Sequence, residues 1–76
     1  MVQAFIMIKT AAGESASVRE QVVGMDAVIE AHVVAGQYDV IAEVKGSEVY
    51  EVIHAVATDL TNLGGVVNTR TYICLE

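Results

Sequence analysis

Basic residues are scarce in this 76-residue chain. Lys9, Arg19, Lys45 and Arg70 stand against ten acidic residues, and the formal net charge is −6. Clustered lysine and arginine are what neutralise a phosphate backbone, so the composition argues against direct nucleic-acid binding. It also lacks the polybasic segment that draws a protein to an anionic membrane surface. Cysteine is nearly absent. Cys74 stands alone, which excludes an intrachain disulfide framework and fits a reducing, cytoplasmic setting. Long apolar runs are missing as well. Lys9, Glu14, Glu30, Asp39 and Glu43 interrupt the hydrophobic stretches, which fall far short of the roughly 20 residues of a spanning helix. Met1 leads directly into a strand pattern, without the basic start and apolar segment of a secretory signal. No HExxH, CxxC or GxxxxGK[ST] motif occurs, so neither a zinc site nor a phosphate cradle is expected and no metal or cofactor is implied.

What the chain has in quantity is apolar side chain. Hydrophobic residues make up 54% of it, and the mean hydropathy is +0.50. The length allows one domain, residues 1–76. A domain of this size buries only about 60% of the surface its unfolded chain would expose. Part of the apolar surface is therefore expected to meet another chain, and an oligomer is expected on composition alone.

The pattern along the chain reads β-α-β-β-α-β. In Val2 to Lys9, Ala4, Ile6 and Ile8 share one face, while Phe5 and Met7 share the other. Apolar residues on both faces predict a central strand covered on both sides. Ser17-Val18-Arg19-Glu20 matches a capping box, and Val18, Val22 and Met25 recur at helical spacing, predicting a helix that ends near Met25. Val28 to Ala35 alternates, with Ile29, Ala31, Val33 and Ala35 as the apolar face. Gly36-Gln37 predicts a turn, and Tyr38 to Lys45 a second strand of a hairpin. Ser47 is the expected N-cap of an amphipathic helix with Val49, Ile53, Val56, Ala57 and Leu60 on its apolar stripe. Asn62 and Gly64-Gly65 stop it. Val66 to Leu75 is the last strand, with Thr69, Thr71, Ile73 and Leu75 on one face. This order is the ferredoxin-like, split βαβ arrangement of the α+β class. Right-handed crossovers then give a four-stranded antiparallel sheet with both helices on one face. The other face stays bare, ready to pack on a second copy.

Two stretches depart from what a sheet needs. Gly36-Gln37-Tyr38-Asp39 sets a carboxylate at a strand start, and Gly65-Val66-Val67-Asn68-Thr69-Arg70-Thr71 adds a glycine turn and two hydroxyls. A free amino acid asks for a carboxylate to meet its ammonium, and for amides or hydroxyls to meet its carboxylate. Asp39 supplies the first. Gly36 and Gly65 allow close backbone approach, and Thr69 and Thr71 offer hydroxyls. The plainer alternative is that Gly36 makes a turn and Asp39 caps it. His32 and His54 read as interface and surface residues, Cys74 as packing at a strand end, and Glu48 and Glu51 as a solvated helix start. No catalytic constellation stands out.

The segment Val34-Ala35-Gly36-Gln37-Tyr38-Asp39-Val40-Ile41-Ala42-Glu43-Val44 resembles the GxYD-plus-strand signature of the effector-binding domain of Lrp/AsnC transcriptional regulators, the RAM domain. Residues 65–71 resemble the GVxxTxT segment of its last strand, and the amphipathic helix fills the gap between the two. The resemblance covers essentially the whole chain. It implies a sheet-to-sheet homodimer of the dimeric αβ-barrel type, often four dimers in an octameric ring. It also implies an amino acid or related effector bound between dimers, with Gly36, Tyr38 and Asp39 by the pocket and Thr69 and Thr71 as further contacts. Two departures stand out. Family members carry a helix-turn-helix domain of about 60 residues ahead of this one, whereas here the first strand begins at Val2. Asp26-Ala27 also stands where a proline is common. A stand-alone form is therefore expected, one that modulates full-length regulators by mixed assembly. Two other readings stay open: an enzyme or small-molecule-handling protein of the αβ-barrel type, using His32, His54 or Cys74 in a cleft, and a ligand-free assembly module.

Overall fold

The computed structural model describes residues 1–75, apart from the side chains of residues 55–57. The elements are β1 (Val2–Thr10), α1 (Ser15–Val23), β2 (Val28–Val33), β3 (Val40–Gly46), α2 (residues 49–61) and β4 (Val66–Ile73). The strands form one sheet in the order β2-β3-β1-β4, and every neighbouring pair is antiparallel. The expected β-α-β-β-α-β order and ferredoxin-like sheet are both present.

Strict alternation along β1 and β3 decides the two faces of the sheet. Ala4, Ile6 and Ile8 of β1 and Val40, Ala42 and Val44 of β3 are buried on one side. Val18 and Val22 of α1, and Val52 and Leu60 of α2, are buried in the same cluster. Both helices therefore cover this face. The opposite face carries Phe5, Met7, Ile41 and Tyr72, with Phe5 38% and Tyr72 54% exposed. The β1·β3 and β1·β4 registers set Met7 between Ile41 and Arg70, and Phe5 between Glu43 and Tyr72.

Several local expectations are corrected. Ser17 is not an N-cap. Helix α1 starts three residues earlier than that cap implies, at Ser15 after Glu14, and no side chain caps it. It ends at Val23, with Gly24 as C-cap, so Met25 lies beyond it. The capping-box pattern is met by residues already inside the helix, where the first free amides have gone by. Strand β2 breaks its alternation at a bulge: Val28 pairs with Val44, but Glu30 pairs with Glu43. One extra residue flips the parity. Ile29 is therefore exposed and Val28 packs on the core; Ala31 is buried, while Val33, opposite Val40 on the edge strand, is 52% exposed and Ala35 lies beyond the strand. The strand stops at Val33, β3 starts at Val40 rather than Tyr38, and β4 stops at Ile73 rather than Leu75.

Helix α2 consists of an α-helical turn, Val49–Glu51, a π-helical stretch, Val52–Ala57, and a closing α-helical turn, Thr58–Thr61. A π-helical stretch holds more residues per turn than the 3.6 of an α-helix and moves the apolar stripe out of phase. Leu60 is buried as its place on the stripe predicts, but Val49 and Ile53 are nearly half exposed and Val52 fills the core in their place. The expected positions Val56 and Ala57 lie outside the described side chains. Ser47 does not cap the helix either: its amide and hydroxyl both donate to the Glu51 carboxylate, at 3.2 and 2.7 Å.

Candidate functional site

One end of the sheet collects the β2–β3 turn, the end of β1 and the start of β4. Val34 N–H donates to the Asp39 carbonyl at 2.8 Å, which closes the turn at its base, and Asp39 N–H donates to the Ile8 carbonyl at 2.9 Å. The Asp39 carboxylate then accepts from the Thr10 amide at 2.8 Å and from the Thr10 hydroxyl at 3.2 Å. The Thr10 amide is the main cause of a lowered Asp39 pKa, which its hydroxyl and the nearby Lys9 lower further against partial burial. Alternation would place Asp39 on the open face, yet its charge is directed to the end of β1.

Gly36 sits at the turn with φ +156°, and the space where a side chain would stand is open. Gly65 has a different duty. At φ +93°, a Cβ there would lie 3.1 Å from Val18 Cγ2 and 3.2 Å from Glu14 Cβ. Its missing side chain lets the start of β4 pack against α1, and its carbonyl accepts from Ala11 N–H at 2.8 Å.

On the open face, Met7, Val34, Ala35, Gly36, Gln37, Tyr38, Ile41 and Tyr72 line a groove of about 400 Å³. Gly36 and Tyr38 are thus brought together in it, with Asp39 bracing its rim from behind. Thr69 and Thr71 are not in it. They pair with Ile8 and Ile6 of β1 and so share the helix-covered face, where Thr69 Oγ1 lies 3.4 Å from Thr61 Oγ1. Arg70, between them in sequence, faces the groove side. The Tyr38 phenol first, and then Tyr72, hold its pKa above the usual range. Alternation sets Met7 and Ile41 opposite the buried rows of their strands but does not join them to Arg70 and Tyr72. Their common face follows from the strand register, which short alternation does not fix.

A larger hollow of about 590 Å³ opens at the other end of the sheet, between Asp26-Ala27, Lys45-Gly46-Ser47 and Glu51. Its Glu51 carboxylate is already taken by Ser47. The residues an αβ-barrel enzyme would need do not converge. His32 lies on the edge strand β2, 3.6 Å from Glu30. His54 stacks on Tyr50 on α2, with ring centres 4.2 Å apart. Cys74 follows β4 at the opposite edge of the sheet. Among the described residues no group of histidines, cysteines and acids could hold a metal ion, and no helix is long and apolar enough to cross a membrane.

Two helices on one face of a β2-β3-β1-β4 sheet, with a groove on the other, define the class: a ferredoxin-like domain with an open sheet face. The sequence profile of the Lrp/AsnC ligand binding domain matches residues 3–76, and the chain belongs to that family. No curated protein matches in sequence. Among solved structures, FFRP-DM1 is 33% identical with a TM-score of 0.91, over 99% of this chain and 100% of its own. TTHA0845 from Thermus thermophilus is 28% identical with a TM-score of 0.92, over 100% of this chain and 95% of its own. The transcriptional regulator NMB0573 of Neisseria meningitidis, solved as an L-Met complex, shares the fold at 19% identity and a TM-score of 0.83, over 99% of this chain and 50% of its own.

Proposed function

We propose that this chain is a regulatory effector-binding domain that takes a small molecule of the amino-acid class and couples its occupancy to self-assembly in the cytoplasm. The observation that carries the reading is the groove framed by Gly36 and Tyr38, on the uncovered face of a chain that the ligand-binding profile matches from residue 3 to residue 76. The Neisseria regulator with its bound L-Met supports the ligand class. The exposed Phe5 and Tyr72 support pairing of open faces between two copies; that pairing covers the Tyr72 side of the groove and turns its Gly36–Tyr38 end toward neighbouring dimers, and dimers then join into a ring as large as an octamer. Gly36 and Tyr38 contact the effector. Asp39 acts through the rim it braces. Thr69 and Thr71, on the edge strand β4, meet the effector where a neighbouring dimer brings it to that edge. Assembly shifts because a ligand that bridges two dimers favours the bridged state. Mixed assembly with full-length Lrp/AsnC regulators would pass that state on to transcription, with no nucleic-acid contact from this chain.

Isothermal titration against the twenty amino acids, paired with native mass spectrometry, tests this. Binding of at least one amino acid with a change of assembly mass is expected, weakened in Asp39→Ala. Absence of heat with every amino acid, in a chain that still assembles, rejects it in favour of a ligand-free assembly module.

A further inference from the structure

Helix α2 exposes side chains that its sequence pattern would bury. In an unbroken α-helix Val49 and Ile53 share the inward stripe with Leu60. The π-helical stretch that starts at Val52 changes the phase, and Val49 and Ile53 stand 45% and 43% exposed. Such stretches are frequent at functional sites. Tyr50 is 66% exposed and stacks on His54 with ring centres 4.2 Å apart, which adds an aromatic plate to the two aliphatic side chains. Ile53 also lines a shallow hollow of about 220 Å³ with Thr58, Thr61 and Asn62. Glu48, Glu51 and Asp59 are exposed toward the two ends of the helix, and residues 47–64 hold no lysine or arginine. Val52 and Leu60 fasten the helix to the core. Its exposed face therefore points away from the sheet, off the groove and off the open face through which two copies pair.

We propose that this face of α2 docks a basic segment of a different protein, one in which lysines or arginines are interleaved with apolar residues. The apolar residues lie over Val49 and Ile53, one cation sits over the Tyr50 ring, and others meet Glu48, Glu51 and Asp59. Charge selects this occupant. A second copy would bring the same three carboxylates against these, and like charges set face to face oppose association. Its cations cannot answer them. The Arg19 guanidinium is committed to the Ala31 carbonyl at 2.9 Å, and the strand registers put Lys9, Lys45 and Arg70 on the open face of the sheet. Nucleic acid and anionic membrane are repelled by the same carboxylates. The net charge of −6 draws a basic partner from a distance and speeds its encounter. One short helix face is a small contact, so the complex belongs to the weak, transient class.

Fluorescence anisotropy of the native chain with labelled peptides of about 12 residues tests this. One peptide interleaves lysine and arginine with leucine, a second has glutamate for every basic residue, and a third keeps the basic residues but has serine for leucine. The first is expected to bind, about three- to tenfold more weakly at 300 mM than at 50 mM salt. The second is expected not to bind, and the third to bind about tenfold more weakly than the first. Tyr50→Ala and Ile53→Ser should each weaken the first peptide about 10- to 30-fold, with the thermal midpoint unchanged. Tyr50→Phe, which keeps the ring, should stay within about threefold. Glu48→Gln combined with Asp59→Asn should flatten the salt dependence. Val23→Ser, at an exposed position of α1, should leave binding as it is. Absence of binding by the first peptide overturns the proposal, as does equal binding by the acidic one. So does the same loss in Val23→Ser as in Tyr50→Ala. Self-association that disappears in Tyr50→Ala overturns it as well, and assigns the face to a second copy.

Discussion

Asp39 shows how a residue's position and its action can part. Alternation along β3 assigns it to the open face, while its carboxylate accepts two hydrogen bonds from Thr10. Because its folded pKa lies below the ordinary 3.8, the unfolded chain binds that proton more readily. The group therefore adds stability that is fully present above the unfolded value and is lost as pH falls through the lowered folded value. The thermal midpoint of the native chain should exceed that of Asp39→Ala by a constant margin near neutrality, and the margin should close as an acid titration passes below 3.8. Gly65 gives a second test. Gly65→Ala places a methyl group against Val18 and Glu14 in a conformation that L residues rarely adopt. A loss of more than about 1 kcal/mol is expected in urea unfolding. The sequence shows that an acid and a glycine stand here. It does not show their partners, because Thr10 is 29 positions from Asp39 and Val18 is brought to Gly65 only by the fold.

Strands β1 and β3 were legible at the level of the element, since an unbroken period of two can be assigned to only one pair of faces. Strand β2 was not, because the bulge at Ile29 inserts a residue without any glycine to mark it. Helix α2 is legible as a helix, and Leu60 is buried as its pattern predicts, but the phase of its first turns is not legible: the π-helical stretch starts at Val52 and puts Val52 in the core rather than Val49 or Ile53. The two assignments predict opposite mutants. Val52→Ala, at 0% exposure, should cost about 2 kcal/mol through lost burial and a cavity. Val49→Ala, 45% exposed, should stay within about 0.5 kcal/mol. Chemical denaturation of both variants distinguishes the helical phases. The site suffered from the same limit. Alternation puts Thr69 and Thr71 on a shared face, but only the β1·β4 register reveals that it is the helix-covered one and that Arg70 is on the groove side.

The order of elements and the excess of apolar residues could both be read in the whole chain before its structure. What could not be read is where that excess goes. The open face presents Phe5 beside Tyr72 across the β1·β4 pair. If two copies join there, Phe5→Glu sets two carboxylates into a shared apolar patch while leaving the buried core of each copy untouched. Native mass spectrometry should then show the assembly reduced to single chains, and the thermal midpoint should become insensitive to protein concentration. An unchanged assembly mass would mean that another surface joins the copies.

The brace at the base of the β2–β3 turn carries a consequence for how such a domain can diversify. Its hydrogen bonds use the backbone of Val34, Ile8 and Thr10, the Thr10 hydroxyl, and the backbone and carboxylate of Asp39. Ala35 and Gln37 lie exposed inside the loop that these bonds close. Substitutions at those two positions can change the groove's rim while the brace and the core stay intact. The rim of the groove can therefore change shape and polarity by single replacements that leave the fold's supports in place.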